Sequence, residues 1–380
     1  MNFALSDEQL MVQETARSFA QDVLAKDVEA RDEEERFPYE EVKQMGELGF
    51  MGMMVPEEYG GAGMGEMSYI LMVEELAKVD ASAAVIVSVN NSLVCDLLLK
   101  FANEDQKQRF LKPLASGEKL GAFSLSEAGA GSDPAGLICA ASRVDDEYVL
   151  NGTKNFTTNG ESAEIVIVFA TIDRKLGNKG ICAFLVEKGT PGFRVSKKER
   201  KMGIRSSDTC ELTFEDCHIP ASNLIGEEGK GLRMALTALD GGRMGVAAQA
   251  LGIAQASLDA ALSYSKQRKQ FGKPISEFGA IQDKLADMAT EAECARLMVY
   301  HAAFLKEVGK DYMRAAAMAK LKASQVAVWA SEEAVQILGG YGYLRDFPVE
   351  RYFRDAKITE LYEGTTEIQK LVIARNLLKD

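Results

Sequence analysis

The chain has 380 residues, 47% apolar and 27% charged, which is typical of a soluble globular protein long enough for two or three domains. Its formal net charge of −13 argues against nucleic acid as a partner, because there is no basic surplus to neutralise phosphates. The opening Met1–Leu10 lacks the positive flank and apolar run of a signal peptide, and no stretch approaches the roughly 20 apolar residues of a membrane span. We therefore expect a cytoplasmic protein without a membrane span.

Cysteine and histidine usage narrows the possible chemistry. The only histidines, His218 and His301, leave almost nothing for a His-based metal site or a Ser-His-Asp triad, so we expect no metal. In the absence of a CxxC pair, buried and reduced thiols are predicted for all six cysteines, which are Cys95, Cys139, Cys182, Cys210, Cys217 and Cys294.

The first third, residues 1–120, is predicted to be a helical domain. Ser6 and Gln9 form a plausible capping box, and apolar residues then recur at helical spacing. The glycine-rich stretch 60–65 is predicted to be a loop, because it follows no strand and does not fit GxGxxG. Further helices are expected at Glu40–Leu48, Glu66–Lys78, Ser82–Phe101 and Asn103–Leu114.

The middle section, residues 121–230, has short β-rich runs separated by turn residues. No long helix interrupts them, so an antiparallel sheet or small barrel is predicted here. Asn151-Gly152 is a strong hairpin signal after Tyr148–Leu150. The other predicted strands are Phe123–Ser126, Ile165–Thr171, Gly180–Val186 and Cys210–Phe214.

The last section, residues 231–380, is helical again and is predicted to be a helical bundle. Its helices are expected at Leu232–Gln267, Ile281–Val308, Asp311–Leu338, Arg351–Leu361 and Glu367–Leu378. The order helices, sheet, helices gives an α+β class that is mostly helical.

Two segments of the middle section could bind a flat or phosphorylated ligand. In Leu125–Asp133, glycines allow close backbone approach and Ser126 and Ser132 offer hydrogen bonds, although a polar surface turn would look the same. In Asn151–Gly160, Phe156 followed by a Thr pair could stack on a planar ring, or Phe156 could be core.

Two segments of the last section could bind anions or act as a base. One segment is Asp240–Arg243, which is predicted to open a helix, and a basic run, Lys266–Gly272, lies about seven helical turns further on. At this separation the two would contact two different anionic groups, or both would simply be solvated. Glu363, beside a glycine and apolar neighbours, could be a desolvated base or a surface carboxylate.

Taken together and in this order, these segments resemble the acyl-CoA dehydrogenase family over essentially the whole chain, and most of all its short-chain (butyryl-CoA) branch. Further marks of the resemblance are Ala334–Tyr343 and Tyr362–Gln369. The family implies an N-terminal helical domain, a middle antiparallel β-barrel and a C-terminal four-helix bundle. It also implies a homotetramer with FAD lying between subunits, an acyl-CoA substrate, an electron-transferring flavoprotein as acceptor, and a place in fatty acid β-oxidation.

The resemblance also implies roles for individual residues. Glu363 would remove the α proton while the β hydrogen leaves as hydride to flavin N5. Asp240, Arg243, Gly364 and Ser132 would contact the substrate. The FAD contacts would be Leu125, Ser126, Ser132, Phe156, Thr158, Arg268, Phe271, Gln336, Gly339, Gly340, Thr365 and Glu367.

Two positions depart from the family pattern, and other activities stay open. Phe156 stands where Trp is frequent, and Gly279 stands where a Gln that helps to hold FAD is common. In one branch the base lies on the long helix, at the position of Gly242, which leaves Glu363 as the candidate here. A dehydrogenase of a branched, cyclic or dicarboxylic acyl-CoA is the alternative, followed by a flavin oxidase or monooxygenase and by a non-catalytic CoA- or protein-binding homologue.

Overall fold

The computed structural model describes residues 4–379 and begins with short helices. The predicted capping box is confirmed, because the Ser6 and Gln9 side chains each accept a hydrogen bond from the other's backbone N–H. The helices are α1 (Asp7–Asp22), α2 (Val28–Glu34), α3 (Tyr39–Glu47), α4 (Gly65–Ala77), α5 (Ala81–Ser88), α6 (Asp96–Phe101), α7 (Glu104–Gln106) and α8 (Lys112–Ala115).

The helix α5 continues through a π-helical turn, Val89–Cys95, into α6. The resulting Ala81–Phe101 is long and apolar enough to cross a membrane, so the expectation that no stretch reaches this length was wrong. However, 94% of its apolar window is buried inside the protein. Within the π turn, Asn90 accepts from Gly121 N–H at 2.9 Å and donates to Met51 O at 2.8 Å, which ties this helix to the sheet.

An eight-stranded sheet follows, antiparallel except that β1 runs parallel to β4 and a single β2–β4 pair is also parallel. Its hydrogen-bonded order is β6-β7-β3-β2-β4-β5-β8, with β1 beside β4. The strands are β1 (Gly121–Ser124), β2 (Ala140–Val144), β3 (Glu147–Thr158), β4 (Ile165–Thr171), β5 (Ile181–Glu187), β6 (Phe193–Lys198), β7 (Thr209–Pro220) and β8 (Leu224–Ile225).

The predicted hairpin at Asn151-Gly152 was wrong. The strand β3 runs straight through these residues, and the turn lies earlier, at Asp145-Asp146, where Val144 pairs with Glu147. Gly152 serves a different need, because a Cβ there would lie 2.8 Å from the Cα of Cys139. The glycine therefore permits close strand contact, at a register shift between β3 and β7.

The central strand β4 is buried on both faces, which explains its unbroken apolar sequence. Ile165, Ile167 and Phe169 belong to the core shared with the helices, whereas Val166 and Val168 belong to a second core on the other side of the sheet. The sheet thus connects the helical part of the chain to a separate β core.

The C-terminal helices centre on one 37-residue helix, α9 (Gly231–Gln267). Asp240–Arg243 lies inside α9 and does not open it, because the helix-forming residues Leu232–Leu239 precede it. The remaining elements are β9 (Lys269–Gln270), β10 (Lys273–Pro274), α10 (Gly279–Glu307), α11 (Met313–Leu338), α12 (Val349–Ile358) and α13 (Thr366–Leu377). The expected α+β, mostly helical class with a central sheet is confirmed.

Candidate active site

Glu363 lies on the tight loop between α12 and α13, as the sequence predicted. Its backbone is left-handed, with φ 51°, and that of Gly364 follows with φ 92°. A glutamate in this conformation is uncommon and is held only where its surroundings fix it. The fully buried Gln369 contributes, because its Nε2 donates to Gly364 O at 2.8 Å and to Glu363 O at 3.3 Å.

The Glu363 carboxylate is sequestered although the residue as a whole is half-buried. Its Oε2 is shielded from solvent and has no hydrogen-bond partner among the described residues. Oε2 faces α9 at Gly242, where an added Cβ would lie only 2.1 Å away. Burial raises the pKa of Glu363 to about 7, against the opposing influence of Lys320 and Arg243. A carboxyl tuned to this range is suited to general-base work near neutral pH.

Asp240 and Arg243 form an ion pair one turn apart on α9, with Arg243 Nη1 donating to Asp240 Oδ1 at 2.5 Å. Arg243 is buried, and its Nε finds no partner in the described part of the chain. Burial raises the pKa of Asp240, and Arg243 opposes this. The buried and incompletely satisfied guanidinium therefore belongs to the residue after Gly242, which faces the Glu363 carboxylate.

Sequence reasoning missed Lys320 and Gln249 and gave Gln369 no role, although these three side chains complete this region. Lys320 Nζ donates to Gly364 O at 2.6 Å, and the Tyr362 hydroxyl donates to Gln249 Oε1. A signal existed for Lys320, because it lies four residues after buried Ala316 and three before buried Ala323, on the inner face of α11.

The loop after β1 is held by a buried ion pair beneath it. Lys154 Nζ donates to Glu127 Oε1 at 2.8 Å and to Leu125 O at 3.0 Å, and neither charged side chain is more than 5% exposed. Asn155 N–H also donates to Ser126 O at 2.8 Å. These bonds bring the Leu125-Ser126 segment against the strand that carries Phe156 and Thr158.

Phe156 is 67% exposed and has φ 58°, so the alternative that it is core is wrong. It falls where β3 loses register with β7, between Lys154 and Thr157. Ser132 is also exposed, and the backbone at Gly129 and Gly131 has open space in front of it. Thr158 is half-buried.

A second group of candidate residues meets around a cavity of about 480 Å³. Arg268, Gly339 and Gly340 line it, whereas Phe271 and Gln336 do not. Phe271 is 94% exposed with φ 52°, an unusual state for an apolar side chain. The cavity lining is Tyr264, Arg268, Gln270, Ile275, Ile337, Leu338, Gly339, Gly340, Tyr341 and Leu344.

Three further candidate positions have modest local roles. The Thr365 hydroxyl caps α13 by accepting from Ile368 N–H, and Glu367 is exposed in the first turn of that helix. Gly279, at the start of α10, is exposed with open space around it. The five cysteines other than Cys294 are buried as expected, whereas Cys294 is exposed, which corrects the prediction for it.

These features fit a flavin dinucleotide. The exposed Phe156 ring is on the strand bonded to the Leu125-Ser126 segment, and the loop that follows leaves its backbone open at Gly129 and Gly131, which together offer a surface for a planar ring system. Gly339 and Gly340, where added Cβ atoms would meet nothing within 4 Å, leave backbone open beside the Arg268 guanidinium, as a phosphate requires. The groups of His, Cys, Asp and Glu in residues 4–379 include none that could hold a metal ion.

Comparison with known proteins gives matches over the whole chain. Three family models match, describing the N-terminal (6–118), middle (122–217) and C-terminal (229–378) domains of acyl-CoA dehydrogenase. A short-chain specific acyl-CoA dehydrogenase of Clostridium acetobutylicum is 49% identical over 379 residues and covers 100% of both chains.

Solved structures agree with this result. Butyryl-CoA dehydrogenase from Megasphaera elsdenii superposes with a TM-score of 0.98 at 50% identity, over 100% of both chains. A chain from a study of the electron transferring flavoprotein of Acidaminococcus fermentans gives 0.99 at 51% identity, also over 100% of both. A glutaryl-CoA dehydrogenase of Mycobacterium smegmatis in complex with FADH2 gives 0.94 at 33% identity, over 99% of this chain and 96% of that one. Together with the sequestered Glu363 carboxylate and the flavin-compatible surfaces, these matches show that the chain belongs to the FAD-dependent acyl-CoA dehydrogenase family.

Proposed function

We propose that the enzyme oxidises a short-chain acyl-CoA thioester to the 2-enoyl-CoA, with Glu363 removing the α proton. The observation that carries this proposal is the Glu363 carboxylate itself, desolvated, without a hydrogen-bond partner and with its pKa raised by burial to about 7. Such a group binds a proton far more readily than an exposed glutamate does, yet is substantially ionised at neutral pH.

The remaining residues would orient the thioester. Asp240, Arg243 and Gly364 would contact the substrate, and Ser132 would meet both the substrate and the cofactor. Bound FAD supplies the hydride acceptor for the β hydrogen. The left-handed Glu363-Gly364 turn fixes where the carboxylate points, so proton removal would need little rearrangement of the protein.

Two separate surfaces would hold the cofactor. Leu125, Ser126, Ser132, Phe156 and Thr158 would contact the flavin ring. A neighbouring subunit of a homotetramer would supply a second set for the ADP half, and its exposed Phe271 would lose its solvent contact on assembly. That second set comprises Arg268, Phe271, Gln336, Gly339 and Gly340, with Thr365 and Glu367 as further contacts.

The short acyl preference and the acceptor are supported by similarity to the relatives above. The Clostridium and Megasphaera proteins are named for short-chain and butyryl-CoA substrates, and the Acidaminococcus structure is named for an electron transferring flavoprotein. We propose the same substrate class and an electron-transferring flavoprotein as acceptor, in the β-oxidation of fatty acids in the cytoplasm.

Anaerobic reduction of the flavin by acyl-CoA tests the proposal. The purified enzyme should lose its flavin absorbance with butyryl-CoA, and a set of longer, branched, cyclic and dicarboxylic acyl-CoAs should react more slowly. Glu363→Gln should retain FAD and lose bleaching by at least about a thousandfold, whereas Glu332→Gln, an exposed carboxylate on α11, should behave as wild type. Rapid bleaching of Glu363→Gln would overturn the assignment of the base.

The acceptor requires a separate experiment. Electron-transferring flavoprotein should reoxidise the reduced enzyme quickly, and admission of air should yield little peroxide. Fast peroxide formation would instead support an oxidase.

A further inference from the structure

Lys320 is a fully buried cation that the reaction as outlined does not use. It lies on the inner face of α11 with 0% of its surface exposed. Burying an ammonium group is costly unless the charge is compensated. Its Nζ donates to a neutral acceptor, the carbonyl of Gly364, at 2.6 Å, and that carbonyl belongs to the residue directly after Glu363.

We propose that Lys320 is a positioning residue for Glu363, which ties down the left-handed turn through the Gly364 carbonyl and so brings a positive charge to the residue next to Glu363. The inference rests on the proposed function, since it assigns Lys320 a role toward the proposed base. Gln369 holds the same carbonyl at 2.8 Å, so two side chains from different helices fix this turn.

The other charged and titratable groups near Glu363 leave Lys320 as its main compensating cation. From α9 comes Arg243, whose charge is already paired with Asp240 at 2.5 Å. The Tyr69 hydroxyl approaches from α4, and the Tyr362 hydroxyl belongs to the loop itself. Burial and the charge of Glu363 raise the pKa of both hydroxyls, so both are neutral. The charges of Lys320 and Arg243 both oppose the burial that raises the pKa of Glu363. Glu360 and Glu367 also act on Lys320 and favour its charged form.

The direction of the effect on pH dependence follows from the sign of the charge. Burial raises the pKa of Glu363 to about 7, and Lys320 acts against that rise. Burial lowers the pKa of Lys320 to about 8, so the lysine is still mostly charged where Glu363 titrates. Removal of this charge raises the pKa of Glu363 further, and the carboxylate then forms only at higher pH.

The test is the pH profile of flavin reduction by butyryl-CoA in FAD-loaded variants. Lys320→Gln keeps a hydrogen-bond donor without the charge, and its low-pH limb should move up by about one pH unit. Lys320→Met loses both, so the same shift should come with a limiting rate at high pH about tenfold lower than that of the Gln variant. Lys320→Arg should keep the limb within a few tenths of a unit. The matched control is Lys322→Met on the same helix, whose partner is Glu291, and its profile should be unchanged.

Three outcomes would overturn the inference. The first is an unchanged low-pH limb of the pH profile in both Lys320→Gln and Lys320→Met. The second is a shift of that limb in Lys320→Arg as large as in the neutral variants. The third is loss of FAD loading in both neutral variants while Lys320→Arg has a normal pH profile. The last would assign Lys320 a purely structural role. Failure of the wild type to be reduced by any acyl-CoA would refute the proposed function itself, which is a different result from an unshifted limb in an active enzyme.

Discussion

The buried pair Lys154–Glu127 should be a principal support of the loop Leu125–Asp133, which we propose contacts the flavin, and Lys154→Met tests this. The Glu127 carboxylate accepts three hydrogen bonds, from Ile138 N–H at 2.7 Å, Cys139 N–H at 2.9 Å and Lys154 Nζ at 2.8 Å. Replacement by methionine fills most of the volume but removes the cation. It leaves a buried anion held by two backbone donors, and it leaves Leu125 O without its partner.

The expected magnitude follows from this geometry. Removing one partner of a buried, hydrogen-bonded pair typically costs about 3–5 kcal/mol, because the remaining charge is uncompensated. Glu127→Gln in the same chain removes that charge, so the double variant should be more stable than the sum of the two single effects by roughly 1–3 kcal/mol. Lys197→Met, an exposed lysine on β6 that is paired with Glu199, is the control and should stay within about 0.5 kcal/mol of wild type.

The assay is unfolding of the FAD-loaded protein in urea, followed by circular dichroism and by release of flavin fluorescence. Lys154→Met should unfold at lower urea, and flavin should be released before the helices melt, because the pair lies under Leu125 and Ser126. Strictly additive effects of Lys154→Met and Glu127→Gln would refute the argument, since they would mean that the two charges do not depend on each other.

Two further predictions concern the active-site glycine and the thiols. Gly242→Ala should retain FAD but reduce bleaching by butyryl-CoA about a hundredfold, because its Cβ would lie 2.1 Å from Glu363 Oε2 and displace the carboxylate. The control Gly136→Ala, where an added Cβ has nothing within 4 Å, should bleach at the normal rate. Equal rates for the two variants would contradict the placement of Glu363 against α9. A thiol reagent should quickly label one cysteine per native chain, the exposed Cys294. The other five are buried, and burial raises the pKa of Cys139 and Cys217 to about 11 and that of Cys210 to about 12. Rapid labelling of several cysteines would contradict the described core.

Local sequence signals predicted much of the fold and the loop of the site. The helix α9 was expected from Leu232 and begins at Gly231, and the Ser6 capping box forms as expected, because helical spacing and capping depend on near neighbours. A carboxylate beside glycine and apolar residues is also a local pattern, and it singled out Glu363 as a possible desolvated base, a role that the family resemblance favoured and that stays a prediction.

Long-range contacts could not be predicted in this way. The Asn151-Gly152 signal indicated a turn, but Gly152 is required by Cys139 packing across the sheet, and the real turn uses Asp145 with φ 51°. The parallel pairing of β1 with β4 joins segments more than 40 residues apart. Lys320 is 43 residues from Glu363, so only the folded chain reveals that its ammonium holds the following carbonyl.

The glycines inside α9 indicate how the fold makes room for this chemistry. Each glycine in a helix interior costs about 0.5–1 kcal/mol relative to alanine, yet α9 has Gly242 and Gly245 in its buried part. A Cβ at Gly242 would strike Glu363, and one at Gly245 would lie 2.2 Å from Ser88 Oγ and 2.3 Å from the Tyr69 hydroxyl. The tertiary contacts of the Glu363 loop and of the Tyr69–Ser88 hydrogen bond, at 2.8 Å, take the space that side chains would occupy. The helix therefore gives up intrinsic stability where the Glu363 carboxylate lies against it, and the rest of its 37 residues, rich in alanine and well packed, offset that loss.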